Sequence, residues 1–238
     1  MKSLINFYIK GMTEPLKYDG SLKDISKILL HHQIAYPFET VTRNLEVKQL
    51  MDQDFEEHFY KFVKTRYSGT CFSHHYILKN VLSYLGYDVK YIFLEPNHCG
   101  VVLNWNDQRF YLDVAYWSPL FKPQPLNKSW KVKFPNIEVE WRKVDSNFHL
   151  VRNESLVKIW DGKYLTDDAF YSKSIDILNE HSYFKEHILI NRWLNQDCFI
   201  LLQETRLDIY NRYKKHQVYQ ISEKKFQEYR EKFFRLGQ

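Results

Sequence analysis

The chain has 238 residues, of which 44% are hydrophobic and 26% are charged, with only 7 Gly and 7 Pro. This composition predicts a globular protein with a sizeable core and argues against long disordered tracts. The net charge of +5 suits an anionic small ligand such as a nucleotide or CoA. No nucleic-acid-binding motif accompanies that charge, so a nucleic-acid partner is not expected.

The cysteines and the hydropathy pattern indicate the compartment. Cys71, Cys99 and Cys198 are an odd, small number without CxxC spacing. This favours a reducing cytoplasm over a disulfide framework and argues against a zinc site. The first residues, MKSLINFYIKGMTEP, are not typical of a signal peptide because Lys10 breaks a short apolar run. No apolar stretch is long enough to cross a bilayer, so no membrane partner is expected. Together with the cysteine pattern, this predicts a cytoplasmic protein without a metal.

The first part of the chain, residues 1–86, is predicted to be a helical bundle. A capping-box-like start at Ser21 precedes apolar residues at helical spacing, and Pro37 ends that helix. A second helix is predicted over residues 52–65, where phenylalanines recur on one face. A third helix follows the turn Ser68–Thr70 and ends near residue 86, where glycine is a plausible C-terminal cap.

The middle part, residues 87–182, changes to a two-residue period that predicts an antiparallel sheet or barrel. YDVKYIFLE, HCGVVLNW and RFYLDVAYW are typical of strands, and the Pro- and Lys-rich segment 119–136 is predicted to be a surface connection. A short helix is expected at 174–179. The last part, residues 183–238, combines strands with a helix that begins at Ser222. The order of elements predicts an α+β fold.

One cysteine stands where a tight turn meets a helix. Cys71 follows Gly69-Thr70 and begins the third predicted helix. A helix N-terminus has free N–H groups and a partial positive charge, which lower the pKa of a thiol and can hold an oxyanion when an acyl group is attached. The position therefore suits a nucleophile, whereas a free cysteine taken alone is more often an inert, buried apolar residue.

A base and a residue that orients it are predicted on two adjoining strands. If Asn106-Asp107 is a two-residue hairpin loop, Trp105 faces Gln108. Continued pairing then puts His98 and Asp113 on one face as diagonal neighbours, within reach of each other. A one-residue slip would put them on opposite faces. The alternative is a surface histidine and a surface aspartate on a solvated face.

The other histidines give weaker signals. His74 is three residues after the cysteine and could face it. An adjacent pair on a helix is more often one solvated and one packed residue, which is the expectation for His74-His75 and for His31-His32. None of them has metal-ligand spacing with a partner.

Three motifs in the same order resemble those of the arylamine N-acetyltransferase family. SGTCF, with Cys71, resembles the R-G-G-x-C-F motif that precedes a helix in this family. NHCGVVL, with His98, resembles its histidine at the start of a strand, and YLDVAYW, with Asp113, resembles its D-V-G-F-G-like segment. PFET at 37–40 is similar to the family's PFEN loop. The strand-then-helix ending is similar as well, so the chain is identified as a divergent, short member.

The resemblance implies a fold and an activity. The fold would be an N-terminal helical bundle, a central antiparallel β-barrel and a C-terminal α/β lid, with a cysteine-protease-like core. Cys71 would take an acetyl group from acetyl-CoA and pass it to an arylamine, arylhydrazine or N-hydroxyarylamine in a ping-pong reaction. His98 would activate the thiol and Asp113 would orient His98. Acetyl-CoA would be the donor substrate, with no permanently bound cofactor.

Several residues depart from the family pattern. Tyr67-Ser68 stand where the family has an arginine and a glycine, and His75 stands where it has an asparagine. Ala115-Tyr116-Trp117 replaces the G-F-G segment, and its larger side chains would narrow the acceptor site. Other functions therefore stay open. They are a Cys-His-Asp hydrolase of amides or thioesters, an amide synthase, and a non-catalytic relative with an altered cleft.

Overall fold

The computed structural model describes residues 2–12, 14–17, 19–180 and 182–234, with no side-chain description at 182 and 183. Five of the α-helices lie before residue 88, most strands follow them, and the fold is mixed α+β as predicted. The α-helices are α1 Lys2–Lys10, α2 Leu22–Ala35, α3 Arg43–Asp52, α4 Phe55–Tyr60, α5 Cys71–Tyr84, α6 Asp167–Glu180, α7 Ser182–Glu186 and α8 Glu223–Tyr229. π-helical turns at Lys61–Thr65 and Arg230–Phe234 extend α4 and α8.

The helix boundaries follow local sequence signals. The hydroxyl of Ser21 accepts a hydrogen bond from the N–H of Asp24 at the start of α2, and Ser222 caps α8 in the same way. The predicted second helix is present as α4 and its π-helical turn, with Asp54 as N-cap. Helix α3, whose apolar residues do not form a clear stripe, was not predicted, and α6 is longer than the helix predicted at 174–179.

The strands form three antiparallel sheets. They are β1 Phe38–Glu39, β2 Asp88–Leu94, β3 His98–Trp105, β4 Gln108–Leu112, β5 Gln124–Pro125, β6 Trp130–Phe134, β7 Ile137–Val144, β8 Asn147–Arg152, β9 Leu156–Trp160, β10 Leu189–Asn195, β11 Cys198–Gln203, β12 Arg206–Asn211 and β13 Lys214–Gln220. The sheet orders are β1-β10-β11-β12-β13, β2-β3-β4-β5 and β6-β7-β8-β9. Strand β1 thus joins the predicted PFET loop to the C-terminal sheet.

The predicted central barrel is not confirmed, because the two middle sheets are open. They share an aromatic core in which Tyr111 of β4 stacks on Trp141 of β7, with ring centroids 5.4 Å apart. Their edges meet in an isolated bridge between Glu95 and Ile159. Strand β5 has two residues, and one of them is a proline, which has no N–H to extend the ladder.

The prediction that residues 119–136 form a surface connection was wrong in part. The segment contains β5, all of β6 and two buried leucines, Leu120 and Leu126, which pack into the core between the two middle sheets. The prolines and lysines of the segment alternate with these apolar anchors. The Pro- and Lys-rich composition of the segment as a whole therefore did not reveal the two buried leucines.

Helix α5 lies at the centre of the molecule and fixes the position of the cysteine. Ten of its 14 residues are buried, and it packs against β2 and β3. Because α5 is packed on several sides, its N-terminus is held close to His98, the first residue of β3. No helix in the described ranges is long and apolar enough to cross a membrane.

Candidate active site

Cys71 is the first residue of α5, as the sequence predicts. Gly69 has φ of +67°, a left-handed conformation that glycine adopts without strain, and Thr70 follows as the N-cap in an extended conformation. This turn places the sulfur at the bottom of a cleft, where Cys71 is 4% exposed. The thiol is therefore shielded from bulk water but open to a small ligand.

Glu46 of α3 holds the turn before the cysteine. Its buried carboxylate accepts hydrogen bonds from the N–H of Thr70 at 2.9 Å and from the N–H of Ser73 at 3.0 Å. A Cβ on Gly69 would lie 2.8 Å from the Glu46 carboxyl carbon, so the glycine is needed for this contact. Burial raises the pKa of Glu46 to about 8, against the opposing effect of these hydrogen bonds.

The hydrogen bonds of Glu46 reduce the number of N–H groups in the first turn of α5 that could hold an oxyanion. One first-turn N–H, that of Ser73, is occupied by Glu46. Among the hydrogen bonds of the described residues, the N–H groups of Cys71 and Phe72 have no protein acceptor. They are the first-turn donors that remain for an oxygen next to the sulfur.

The PFET segment has a structural role at the same turn. Glu39 accepts hydrogen bonds from the N–H of Gly69 at 2.8 Å and from the N–H of Thr42 at 2.9 Å. Glu39 also pairs with Ile190 in the ladder between β1 and β10. The segment therefore connects the cysteine turn to the C-terminal sheet.

The β3–β4 hairpin has the predicted register. Asn106 and Asp107 have φ of 47° and 58°, the left-handed pair of a type I′ turn. Trp105 pairs with Gln108, and the ladder continues to Val101 opposite Leu112. The pairing then stops, and Asp113 follows directly, so its side chain turns toward the start of β3.

His98 and Asp113 are hydrogen-bonded inside the protein. The Nε2 atom of His98 lies 2.8 Å from Oδ2 of Asp113, and the two residues are 4% and 2% exposed. The hydroxyl of Tyr111 donates to the same Oδ2 at 2.5 Å, and the N–H of Ala115 donates to Oδ1 at 2.9 Å. These contacts fix the carboxylate and leave Nδ1 of His98 as the ring nitrogen that can meet the sulfur.

His75 connects the cysteine to the aspartate from a second direction. Its Nδ1 atom donates to the carbonyl oxygen of Cys71 at 2.7 Å, and its Nε2 atom lies 3.2 Å from Oδ1 of Asp113. The histidine predicted as able to face the thiol was His74, not His75. The spacing of four residues, which puts His75 one helical turn after Cys71, is the signal that could have identified it.

His74 faces away from the site, so the expectation that it could face the thiol was wrong. Its Nδ1 atom lies 2.9 Å from Nε2 of His32, and its Nε2 atom donates to the carbonyl of Pro37 at 3.2 Å. His32 in turn is hydrogen-bonded to the hydroxyl of Tyr8. Both members of the His74-His75 pair are buried, so the expectation of one solvated residue also fails.

Cys99 is a neighbour of Cys71, a contact that was not predicted from the sequence. Its thiol donates to the carbonyl of Cys71 at 3.3 Å, and its sulfur lies 3.4 Å from Nδ1 of His75. Cys99 follows His98 on β3, and consecutive strand residues point to opposite faces. Cys99 therefore points to the face of β3 opposite to His98, and this face packs against α5.

The charges of the site favour a thiolate and an imidazolium. Burial alone would raise the pKa of the Cys71 thiol, but hydrogen bonds from Cys99 and His98 and the positive charge of His98 hold it well below its ordinary value. Burial alone would lower the pKa of His98, but the charge and hydrogen bond of Asp113 raise it to about 9. The His98 charge holds the pKa of the buried Asp113 well below its usual range.

The cleft above the sulfur is small and aromatic. Its volume is about 190 Å³. Ala115, Tyr116 and Trp117 form one wall, so the segment that replaces the family's G-F-G does line the site. A larger cavity of about 1080 Å³ lies between α2 and β10 and has none of the three predicted catalytic residues in its lining, so we assign the chemistry to the smaller cleft.

Known proteins provide an independent comparison. A family model described as N-acetyltransferase matches residues 21–237. A search of curated protein sequences finds no match to the chain. The fold is similar to solved arylamine N-acetyltransferases, at identities that show the fold alone.

Three of these structures illustrate the likeness. The enzyme from Salmonella typhimurium has a TM-score of 0.84 at 16% identity, covering 100% of this chain and 92% of its own. The enzyme from Mycobacterium abscessus has a TM-score of 0.83 at 14% identity, covering 98% and 90%. One from Bacillus cereus, described with a Cys-His-Glu catalytic triad, has a TM-score of 0.79 at 14% identity and covers 100% of both chains. With the family match over most of its length, this chain belongs to the arylamine N-acetyltransferases, which are enzymes of the acyltransferase class.

Proposed function

We propose that this protein transfers an acetyl group from acetyl-CoA to an arylamine, arylhydrazine or N-hydroxyarylamine through a thioester on Cys71. The observation that supports this most is the geometry around the sulfur. Cys71 begins a buried helix, and the hydrogen-bonded pair of His98 and Asp113 lies beside it. Three separate segments of the chain are needed to build this arrangement.

In the first half-reaction the Cys71 thiolate attacks the carbonyl carbon of the thioester. A carbon–sulfur bond forms, and the bond to the CoA sulfur breaks. The imidazolium of His98 gives its proton to the departing CoA thiolate. Asp113 keeps the ring oriented and stabilises its positive charge, as the acid of other triads does. The N–H groups of Cys71 and Phe72 are placed to stabilise the carbonyl oxygen as it becomes negative.

In the second half-reaction the amine attacks the acetyl-Cys71 thioester. The neutral His98 accepts a proton from the attacking nitrogen, an amide bond forms, and the Cys71 thiolate departs. The aromatic walls of the cleft, Tyr116 and Trp117, suit a flat acceptor ring. The acid here is Asp113, whereas the Bacillus cereus relative is described with glutamate.

The release of CoA from acetyl-CoA, with and without an aromatic amine, tests the proposal. An acyltransferase releases one equivalent of CoA when the amine is absent and turns over only when it is present. Continuous release without amine would instead show a hydrolase. No release at all would show a non-catalytic relative with an altered cleft. Formation of an intramolecular amide from a thioester substrate would show an amide synthase.

The setting of this reaction is part of the proposal. Cys71, Cys99 and Cys198 are all free thiols, which supports a reducing compartment such as the cytoplasm. Acetyl-CoA would enter as a substrate, and no permanently bound cofactor is needed by the two half-reactions.

A further inference from the structure

Two positive side chains lie in the cleft beside the cysteine, and the acetyl-transfer steps use neither. Arg152, at the end of β8, and Lys158, on β9, both line the cleft that contains Cys71. The guanidinium of Arg152 donates to the carbonyl of Tyr116 at 3.1 Å and lies 4.9 Å from the Trp117 ring. Both cations are half-buried.

Neither cation has a carboxylate partner within ion-pair distance in the part of the chain that the structure describes. The ammonium of Lys158 donates to the side-chain carbonyl of Asn97, which is neutral. Other lysines of the chain do pair with carboxylates, as Lys173 does with Glu95 at 2.8 Å and Lys79 with Asp167 at 3.0 Å. Partly buried charges are normally paired, so two unpaired cations in one small cleft indicate a ligand that brings the negative charge.

We propose that Arg152 and Lys158 form a subsite for a carboxylate or sulfonate on the acceptor, so that the enzyme prefers anionic aromatic amines over neutral ones. The inference rests on the proposed function and identifies its substrate class. The planar guanidinium suits a carboxylate or sulfonate, which it can bind through two parallel hydrogen bonds. The ring of the acceptor would lie against Tyr116 and Trp117, between the anion subsite and the sulfur.

The acceptor is a better source of this anion than the donor. The phosphates of CoA are separated from its thioester by the whole pantetheine arm, whereas both cations line the same small cleft as the sulfur. When the donor binds, the Cys71 thiolate already supplies a negative charge near Lys158. Acetylation converts that thiolate to a neutral thioester. The positive charge of the cleft is then unbalanced at the moment when the acceptor arrives.

The first experiment compares kcat/KM for 4-aminobenzoate and 4-aminobenzamide, which have nearly the same shape and differ in charge. The variants are Lys158→Gln, which keeps a donor for Asn97, and Arg152→Gln, with Lys163→Gln as an exposed control outside the cleft. We expect the parent and the control to prefer the benzoate by about tenfold or more, since hydrogen bonds to charged groups contribute that much. Lys158→Gln and Arg152→Gln should lose most of this preference, and melting curves identify a variant that fails to fold.

A binding experiment separates this inference from the proposed function. Calorimetry with Cys71→Ser, which has no thiolate, measures the affinity for the same two compounds without any acyl transfer. We expect tighter binding of the benzoate, and the difference should disappear when Lys158→Gln is added. Equal binding of both compounds would overturn the subsite, whether or not the parent enzyme transfers acetyl groups.

Two further outcomes would also overturn the proposed anion subsite. Malonyl-CoA and acetyl-CoA are compared as donors to Cys71 in all variants. A charge preference found for the malonyl donor and not for the acceptor would assign the cations to the acyl group. A shift in the pH dependence of Cys71 alkylation in Lys158→Gln, with the benzoate preference intact, would show that the cation serves only the thiolate.

Discussion

The imidazole of His98 and the carboxylate of Asp113 meet at 2.8 Å, although His98 begins β3 and Asp113 directly follows β4. The contact depends on a two-residue turn at Asn106-Asp107, because a slip of one residue would turn one side chain to the opposite face. The hairpin ladder stops one residue before Asp113. Asp113 therefore lies outside the ladder, and its carboxylate accepts hydrogen bonds from the His98 ring, the Tyr111 hydroxyl and the Ala115 N–H.

Asp113→Asn should slow acetylation of Cys71 by roughly 10⁴-fold, if the effect seen in serine proteases transfers. An amide nitrogen in place of Oδ2 cannot accept from His98 and Tyr111, so the ring loses its orientation and its positive charge is no longer stabilised. Stopped-flow measurement of CoA release gives the rate. The matched control is Asp107→Asn, the same change in the exposed turn of the same hairpin. A loss of less than about tenfold in Asp113→Asn would contradict the assigned role.

The rate at which acetyl-CoA acetylates Cys71 should depend on pH differently from the rate at which iodoacetamide alkylates it. The pKa of Cys71 is lowered, so the thiolate forms below the ordinary pH for a thiol and persists at higher pH. The pKa of His98 is raised to about 9, so its imidazolium is present below that pH and is lost as the pH rises through it. Alkylation by iodoacetamide should therefore stay on a plateau above pH 9, while acetylation by acetyl-CoA declines. Parallel decline of both rates would refute the role of His98 as the proton donor to CoA.

Cys99→Ala should make Cys71 less reactive in acid. The Cys99 thiol is hydrogen-bonded to Cys71 and is one of the groups that lower its pKa, so removing it should shift the alkylation profile of Cys71 to higher pH. Peptide mapping after a short exposure to iodoacetamide measures this. Cys198→Ala is the control, because burial raises the pKa of that thiol and it lies outside the site. Fast labelling of Cys99 in the parent, with Cys71 unlabelled, would overturn the choice of nucleophile.

Ala115→Gly with Trp117→Gly should widen the range of acceptors. Trp117 has φ of +54°, the left-handed conformation that glycine adopts without strain, and its ring fills one wall of a cleft of about 190 Å³. We expect the parent to acetylate small hydrazines and anilines and to turn over large arylamines weakly, and the double variant to gain activity on the large ones. Steady-state kinetics over acceptors of graded size test this. A parent that already prefers polycyclic amines would disprove the steric account.

Local patterns were enough to predict the cysteine turn and the strand pair. A glycine before Cys71 and a two-residue loop after Trp105 each specify backbone geometry from a few neighbouring residues. The hairpin register then predicted that His98 and Asp113 share a face. These signals are local because turn chemistry and side-chain alternation act over short distances along the chain.

Residues that approach from distant segments could not be predicted in this way. Glu46 lies on a helix that has no clear apolar stripe, and it reaches the cysteine turn only after tertiary packing. Arg152 and Lys158 come from a different sheet, and nothing in their own segments indicates a cleft. The division of the chain at residues 86 and 182 stays a prediction, and residue 181 and residues 235–238 lie outside the described ranges.

Mass spectrometry of the protein after treatment with acetyl-CoA tests the central claim most directly. One acetyl group should appear on the peptide that contains Cys71, and it should disappear when an aromatic amine is added, with the acetylated amine as product. Cys71→Ser should acquire no amine-labile acetyl group. Acetylation of another residue in the parent, or an unmodified Cys71 after prolonged exposure to acetyl-CoA, would contradict the proposed thioester mechanism.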